Sequence, residues 1–251
     1  MTKSSQNPTL DLFLGGKLRI LQPRSGYRAG IDPVLLAASL SVTAGERVLE
    51  LGCGVGVASL CLMRRVRGVD VSGIEMNPAL ADLARRNGRQ NSLHLKVFDG
   101  DISNMPRDLI TQSFDHVMAN PPYFDRSRSS RSEDQDRESA RGEETPLSVW
   151  VNTAARRVKP KGYVHFIFPT ERLANLLAAL PNHMGSVQVT PFVSRQGRGS
   201  ELMILQARHS GRAPFKLLPQ IVLHQAREHI NDGDDYTAQV SRMLRDGQGL
   251  F

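Results

Sequence analysis

The most constraining feature of this 251-residue chain is a regular alternation of short apolar runs with helix-length segments that begins after Gly45. Apolar residues at helical spacing in the longer segments favour helices, and the short runs favour buried strands. The strands are expected at 47–51, 68–74, 93–98, 114–119 and 163–168, and the helices at 57–66, 78–91, 147–158 and 171–180. Strands that alternate with helices form βαβ units, so the sequence predicts an α/β fold around a mostly parallel sheet.

Two further apolar runs, 186–193 and 201–207, are joined by a loop that contains glycine. Parallel strands would need a longer crossover, so this pair is expected to form an antiparallel hairpin at the sheet edge. The chain is therefore predicted to contain a seven-stranded, mostly parallel sheet with helices on both faces.

The region before the alternating pattern is less regular. Residues 1–16 are expected to be loosely attached, and 17–22 is expected to be a short strand. Asp32 precedes Pro33, and the pair is typical of an N-cap followed by the first residue of a helix, here over 33–40.

Charge and composition limit the class of protein. The net charge of +7 favours a polyanionic partner. The sequence shows neither an apolar run of about 18 residues nor the apolar block of a signal peptide, so a cytoplasmic protein without a membrane span is expected. The two cysteines, Cys53 and Cys61, have no metal-site spacing and the histidines are scattered, so no metal is expected.

The first predicted strand carries Glu50 near its end and runs into a glycine loop, Gly52-Cys53-Gly54-Val55-Gly56. Glycines at the end of a strand allow a ligand to approach the backbone closely. The loop lacks the GxGxxG spacing of dinucleotide binders and the lysine of a phosphate loop. By itself it is a weak signal.

Two acidic residues at later strand ends strengthen this signal. Glu75 ends the second strand, about 20 residues beyond the loop, where a carboxylate can bind ribose hydroxyls. Asp101 follows the third strand within Gly100-Asp101-Ile102 and can accept a hydrogen from an adenine amino group. All three acids are thus predicted at the carboxyl edge of the sheet, where α/β folds bind ligands.

The glycine loop and the acids, in this order, resemble the class I S-adenosylmethionine-dependent methyltransferases. The resemblance implies their Rossmann-like fold, S-adenosyl-L-methionine as cofactor and S-adenosyl-L-homocysteine as product. It also implies that Glu75 holds the ribose, that Asp101 holds the adenine and that Tyr27 covers the cofactor. The candidate cofactor-binding residues are Tyr27, Glu50, Gly52, Cys53, Gly54, Gly56, Glu75, Met76, Asp101, Ile102 and Asn120.

The fourth predicted strand runs directly into Asn120-Pro121-Pro122-Tyr123. A conjugated amino nitrogen is a poor nucleophile because its lone pair is delocalised. The Asn120 side-chain carbonyl and the Pro122 backbone carbonyl can accept its two hydrogens, which favours lone-pair density directed at a methyl donor. The prolines stiffen the turn, and Tyr123 supplies a ring for stacking. These four residues are the predicted catalytic motif, which acts by aligning the reactants and needs no metal.

This motif resembles the Asn/Asp-Pro-Pro-aromatic signature of amino methyltransferases. The resemblance leaves several substrates open: adenine N6, guanine N2, a glutamine side-chain amide or a small molecule. A nucleic-acid-binding protein with a vestigial cofactor site is the non-enzymatic alternative, and the intact Asn120 with both cofactor acids speaks against it.

Length narrows the choice of substrate. Glutamine methyltransferases carry a helical domain ahead of the core, rRNA guanine enzymes carry a duplicated N-terminal half, and DNA adenine enzymes add a target-recognition domain; no counterpart is expected here. The chain is instead similar to bacterial tRNA(Val) adenine-N6 methyltransferases, most specifically at 22–32, at the Asn120 motif and at Ala140-Arg141. The resemblance implies methylation of adenine N6 in tRNA near the anticodon, with RNA as partner.

Basic residues in three loops are predicted to flank the same sheet edge as the motif. Together with Tyr123, the candidate RNA contacts are Arg24, Arg28, Arg126, Arg128, Arg195 and Arg198. The expected organisation is a single domain in which 1–44 pack over the cofactor site, 45–210 form the core with a charged loop at 124–145, and 211–251 extend the same domain. We expect a monomer or a weak dimer.

Overall fold

The computed structural model describes residues 7–122, 145–225 and 235–251. The described strands are β1 (Thr9–Phe13), β2 (Leu18–Gln22), β3 (Arg47–Leu51), β4 (Asp70–Glu75), β5 (Lys96–Asp99), β6 (Phe114–Ala119), β7 (Val158–Pro169), β8 (Met184–Val193), β9 (Ser200–His209), β10 (Lys216–Leu217) and β11 (Ile221–Val222). The described helices are α1 (Asp32–Ser39), α2 (Val57–Arg65), α3 (Pro78–Gln90), α4 (Arg107–Ile110), α5 (Leu147–Arg157), α6 (Leu173–Ala179) and α7 (Ala238–Ser241), with a 3-10 turn at Thr170–Arg172 and a π turn at Arg242–Asp246. Strands and helices alternate from β3 to β7, which confirms the predicted α/β fold.

The central sheet has the strand order β8-β9-β7-β6-β3-β4-β5. Neighbours from β7 to β5 are parallel, whereas β9 is antiparallel to both β7 and β8. The predicted hairpin of β8 and β9 is thus confirmed, but β9 lies inside the sheet, between β7 and β8. The short strands β10 and β11 both pair with β8, so the sheet of the described residues has nine strands rather than seven.

Strand β7 begins five residues before the predicted start of that strand at 163. Lys161 and Gly162 lie in a bulge within the strand, because Val158 pairs with Phe114 and the ladder resumes only where Tyr163 pairs with His116. Lys161 has a left-handed backbone, with φ 68°. A Cβ on Gly162 would lie 2.6 Å from the Asp115 carbonyl oxygen, so the bulge requires glycine there.

The N-terminal region corrects two expectations. Within the segment expected to be loose, Thr9–Phe13 form β1 and pair antiparallel with β2 in register from Thr9 to Phe13. Asp32 is not the N-cap: Ile31 occupies that position without a side-chain hydrogen bond, and Asp32 lies in the first turn of α1. A carboxylate there still favours the helix, because the first turn carries the positive end of the helix dipole.

Two buried apolar clusters lie on opposite faces of the sheet. Residues of α1, α2 and α3 contribute to one cluster and residues of α4, α5 and α6 to the other. Successive strand residues alternate between them: Val117 of β6 belongs to the second cluster, and Met118 to the first. The helices therefore cover both faces, as predicted, and leave the strand ends open to ligands. No helix among the described residues combines the length and hydropathy needed to cross a bilayer.

Candidate active site

The carboxyl ends of three neighbouring strands bring the predicted motifs together. Leu51 of β3 pairs with Ala119 of β6 on one side and with Ile74 of β4 on the other. The glycine loop after β3, the acid that ends β4 and Asn120 after β6 therefore lie next to one another. This is the edge of a parallel sheet at which α/β folds bind ligands.

The glycine loop has a backbone that side chains rarely tolerate. Gly52, Gly54 and Gly56 have φ values of 62°, 53° and 87°. Gly52 has a second constraint, because a Cβ there would lie 2.5 Å from Cη2 of Trp150 on α5. The Cys53 amide also donates to the Ile74 carbonyl at 3.0 Å, which ties the loop to β4. Trp150 supports the underside of the loop, a role that sequence spacing does not reveal.

Glu75 braces the glycine loop. Its Oε2 accepts a hydrogen from the Gly54 amide at 2.9 Å, and its Oε1 accepts one from the Asn77 amide at 2.8 Å. Burial raises the pKa of Glu75, and these backbone hydrogen bonds act in the opposite direction. Each carboxylate oxygen can accept a further hydrogen bond, so the predicted contact with a ribose is chemically open and stays a prediction.

Glu50 lies almost fully buried beside the same loop. It accepts hydrogen bonds from the Ser59 amide and hydroxyl at the start of α2. Burial raises the pKa of Glu50 to about 8, partly offset by the hydrogen bonds from Ser59. A cationic ligand group would restore the ionised form, because an opposite charge lowers the pKa of a carboxyl.

An open cleft lies over the glycine loop. Of the predicted site residues, Tyr27, Glu50, Gly52, Cys53, Gly54 and Asn120 line it. Gln22, Ala29, Pro33, Val55, Val57, Ala58 and Leu80 also line it and were not predicted. The lining sets one acid, Glu50, and two amides, Gln22 and Asn120, among mostly apolar groups, a composition typical of small-molecule sites.

Five predicted cofactor positions are not part of the cleft lining. Gly56 occupies the N-cap position of α2, and Glu75 lies behind Gly54. Met76 is half exposed, Ile102 belongs to the core, and Asp101 accepts a hydrogen from the Ser103 amide at 2.8 Å. The adenine contact proposed for Asp101 stays a prediction.

Asn120 has one satisfied end and one unsatisfied end. Its Nδ2 donates to the Tyr27 hydroxyl at 3.4 Å, while its Oδ1 is buried and has no hydrogen-bond partner among the described residues. An unpaired buried acceptor costs about 1–3 kcal/mol, and such groups in native proteins call for a functional explanation. The role of Asn120 as the acceptor for an amino substrate stays a prediction. Pro121 and Pro122 follow it directly, and Tyr123 lies outside the described residues.

Tyr27 projects from the loop between β2 and α1. Its side chain is half exposed. Partial burial, and after it the charge of Asp32, raises the pKa of Tyr27 to about 12, so the phenol is neutral at physiological pH. Tyr27 lines the cleft and contacts Asn120, which brings the N-terminal segment to the predicted catalytic motif.

Two amides that sequence reasoning missed hold this region together. The buried Gln22 accepts from the Ala29 amide at 2.8 Å and donates to the Ala29 carbonyl at 3.2 Å, which closes the loop that carries Tyr27. The buried Asn87 on α3 exchanges two hydrogen bonds with Leu21 and donates to the Val55 carbonyl at 3.0 Å. Gln22 lies in the distinctive 22–32 segment, and this position could have indicated its role. No sequence pattern indicated a role for Asn87.

The predicted RNA contacts divide into three groups. Arg28 pairs with Asp11 at 2.5 Å and Arg195 pairs with Asp235 at 2.9 Å, so both have partners within the chain. Arg24 donates to the Asn7 carbonyl at 2.9 Å, and Arg198 is exposed on the loop between β8 and β9. Arg126 and Arg128 lie outside the described residues. RNA contact by any of them stays a prediction.

Metal chemistry has no visible support in the described part of the chain. No group of three or more histidine, cysteine or acidic side chains is placed to hold a metal ion there. Both cysteines are buried free thiols, and burial raises their pKa values.

Comparison with known sequences shows similarity to methyltransferases. Residues 29–135 match the family described as the Methyltransferase small domain. A tRNA1(Val) (adenine(37)-N6)-methyltransferase of Porphyromonas gingivalis is 33% identical over 175 residues, covering 66% of this chain and 68% of that protein. The protein of the same name from Haemophilus influenzae is 24% identical over 238 residues, covering 93% and 97%.

Solved structures share the fold. A protein of Agrobacterium tumefaciens described as a predicted O-methyltransferase superposes with a TM-score of 0.70, at 21% identity over 88% of this chain and 98% of its own. A SAM-dependent O-methyltransferase of Thermotoga maritima has a TM-score of 0.54, at 18% identity over 76% and 69%. At these identities the likeness shows the architecture alone.

Proposed function

We propose that this chain, which belongs to the family of the bacterial tRNA1(Val) (adenine(37)-N6)-methyltransferases, transfers a methyl group to adenine N6 of a tRNA. The single observation that carries the chemistry is the buried, unpaired Oδ1 of Asn120 beside the cleft over the glycine loop. An acceptor in this position suits a conjugated amino group, because such a group donates hydrogen bonds and its own lone pair is delocalised.

The chain supplies alignment. Asn120 Oδ1 and the Pro122 carbonyl accept the two amino hydrogens, which favours the geometry in which the nitrogen lone pair faces the methyl donor. Holding the two reactants in this geometry replaces a bimolecular encounter by an intramolecular step. With a sulfonium methyl donor bound, the nitrogen lone pair would form the new N–C bond as the C–S bond breaks, and the displaced amino proton would leave to solvent.

The residues present fit S-adenosyl-L-methionine as the donor. The left-handed glycine loop and the tight packing of Trp150 beneath Gly52 allow a ligand to lie against bare backbone. Glu50 is placed for a cationic group and Glu75 for hydroxyls. When bound, S-adenosyl-L-methionine supplies an electrophilic methyl group and leaves as S-adenosyl-L-homocysteine.

A tRNA substrate is supported by charge and by the relatives. The net charge of +7 favours fast encounter with a polyanion. Both relatives described above are named for position 37 of a tRNA, and one of them aligns with nearly the whole of this chain. A protein amide or a small molecule is the competing substrate, and the experiment below separates these outcomes.

The test is transfer of a labelled methyl group from S-adenosyl-L-methionine to total tRNA from a strain that lacks the gene, followed by digestion to nucleosides. We expect label in N6-methyladenosine. Label in protein with none in tRNA would overturn the proposal.

The same assay tests the motif. Asn120→Ala should keep the cofactor affinity measured by calorimetry and lower turnover at least 100-fold, because it removes an acceptor used only when the amino group is aligned. Asn152→Ala is the matched control: Asn152 is an exposed asparagine on α5 whose Nδ2 donates to the Ser148 carbonyl, and its removal should leave turnover unchanged. Turnover that survives Asn120→Ala would exclude the acceptor role.

A further inference from the structure

The side-chain amide of Asn120 has two ends of similar shape and opposite hydrogen-bonding character. Rotation by 180° would place the NH₂ group where Oδ1 now lies. An NH₂ group there would face the donor hydrogens of the substrate and could not accept them. Under the proposed function, turnover therefore requires that something fixes which end of the amide faces the amino group.

Tyr27 is the described residue that contacts this amide. Its hydroxyl oxygen lies 3.4 Å from Asn120 Nδ2, on the side opposite the unpaired Oδ1. The contact is long for a hydrogen bond, as is common for catalytic contacts before substrate binds.

We propose that Tyr27 is a positioning residue: its hydroxyl oxygen accepts a hydrogen from Asn120 Nδ2 and so holds Oδ1 toward the substrate amino group. The inference rests on the proposed function, because it assigns a residue to the same acceptor. It gives Tyr27 a role distinct from covering the cofactor, since it depends on the hydroxyl rather than on the ring.

A tyrosine hydroxyl can donate or accept, so its polarity matters. Burial and, after it, the negative charge of Asp32 raise the pKa of Tyr27 to about 12, so the phenol is neutral. The oxygen of a neutral phenol can accept a hydrogen bond, here from Asn120 Nδ2. Asp32 can raise this pKa because it lies in the first turn of α1, next to the loop that carries Tyr27.

The loop that carries Tyr27 is held at both ends. Gln22 binds both backbone groups of Ala29, on the far side of Tyr27 from β2. The Arg28 guanidinium donates to the Pro23 carbonyl at 2.7 Å and pairs with Asp11 of β1. The hydroxyl is therefore set before any ligand arrives, as a positioning group must be.

The decisive test is a double-mutant cycle on single-turnover methyl transfer. Tyr27→Phe keeps the ring and removes the hydroxyl, and it should lower the transfer rate about tenfold with unchanged affinity for S-adenosyl-L-methionine. In an Asn120→Asp background the same change should cost nothing further, because a carboxylate presents an acceptor in either orientation. Tyr163→Phe removes a hydroxyl from β7 away from the cleft and is the matched control; it should leave the rate unchanged.

Other results would overturn the inference. An equal loss from Tyr27→Phe in both backgrounds would mean that the hydroxyl acts without Asn120. A loss of cofactor affinity would assign Tyr27 to the cofactor alone, and an unchanged rate would remove the role altogether. If Asn120→Asp has no measurable rate, the test rests on Tyr27→Phe alone. A lower transfer rate at unchanged cofactor affinity then supports the inference, and an unchanged rate overturns it.

A second readout does not depend on the substrate. In protein labelled with ¹⁵N-asparagine, the Asn120 side-chain NH₂ signals should shift and exchange faster with solvent in Tyr27→Phe than in the wild type. Unchanged signals would overturn the inference even if the protein methylates tRNA. Shifted signals in a protein that methylates no RNA would leave the Tyr27 contact intact and refute the proposed function instead.

Discussion

At the scale of single residues, the site depends on a buried acceptor that has no hydrogen-bond partner among the described residues and on a glycine that leaves no space for a side chain. Asn120 keeps a buried acceptor without a partner in the described part of the chain, and Gly52 lies where no side chain fits. The sequence identified both residues because their types are unusual at a strand end. It could not show that Trp150, about 100 positions away in the chain, is what closes the space at Gly52.

Gly52→Ala and Gly54→Ala separate packing from backbone strain. Both glycines have left-handed φ values, so either substitution should cost about 1–2 kcal/mol of unfolding free energy. Only Gly52→Ala also meets Trp150, whereas nothing lies within 4 Å of a Cβ at Gly54. Gly52→Ala should therefore cost about 1–3 kcal/mol more in chemical denaturation. Equal losses would show that Trp150 yields freely.

At the scale of elements, the N-terminal hairpin and α3 hold the cleft from one side. The alternation of residues correctly indicated β2, but β1 was missed because only its pairing with β2 reveals it as a strand. The predicted start of a helix at 78 is confirmed, and the Asn77 side chain caps that helix by accepting from the Ala79 and Leu80 amides. Asp32 was misplaced by one position, a difference that the local sequence does not encode.

Asn87→Ala tests whether α3 couples β2 to the glycine loop. The change leaves backbone groups of Leu21 and Val55 without their partner, so it should cost about 2–4 kcal/mol of unfolding free energy. It should also weaken binding of S-adenosyl-L-methionine, because the Val55 carbonyl belongs to the glycine loop. Calorimetry and chemical denaturation measure the two effects.

Asn91→Ala is the matched control, because Asn91 lies one turn later, at the C-cap position of α3. Asn91 binds both backbone groups of Arg19 but no atom of the glycine loop. It should lower stability and leave cofactor affinity unchanged. If both variants weakened cofactor binding equally, the specific coupling through Asn87 would be excluded.

At the scale of the whole molecule, the centre of the sheet contains a buried pair of titratable side chains. His116 Nδ1 and His165 Nε2 lie 3.0 Å apart on the paired strands β6 and β7. Burial lowers the pKa of both histidines, and for His165 the charge of His116 lowers it further. The fold therefore holds both rings neutral where the unfolded chain would protonate them.

This pair predicts a loss of stability in acid. The pKa of each histidine is lower in the folded protein than in the unfolded chain. Its contribution to the free energy of unfolding is therefore fully present above the unfolded-state pKa of about 6.5 and is lost as pH falls below that value. Each proton taken up only by the unfolded chain costs up to about 1.4 kcal/mol per pH unit. His165→Gln removes one site, so its stability should fall less steeply between pH 6.5 and 5 in denaturation measured across that range.

The measurement must account for the titration of Glu50, and it needs a control histidine. The raised pKa of Glu50, about 8, acts with the opposite sign: it lowers stability as pH rises from about 4.3 toward 8, in the wild type and in His165→Gln alike. Subtraction of the two curves removes it. His209→Gln, at the half-exposed end of β9, is the control and should reproduce the wild-type slope, whereas an unchanged slope in His165→Gln would contradict the assignment.

The sequence by itself determined the α/β class, the glycine loop, the strand-end acids and the Asn120 motif, because these depend on local periodicity and on residue types with few alternatives. Tertiary structure decided what sequence spacing cannot carry: the insertion of β9 between β7 and β8, the two short strands beside β8, and the support of Gly52 by Trp150. It also decided the contact between Tyr27 and Asn120, which lie 93 positions apart. Such pairings follow from how twisted layers pack and from which buried polar groups must find partners, so they arise only when distant segments meet.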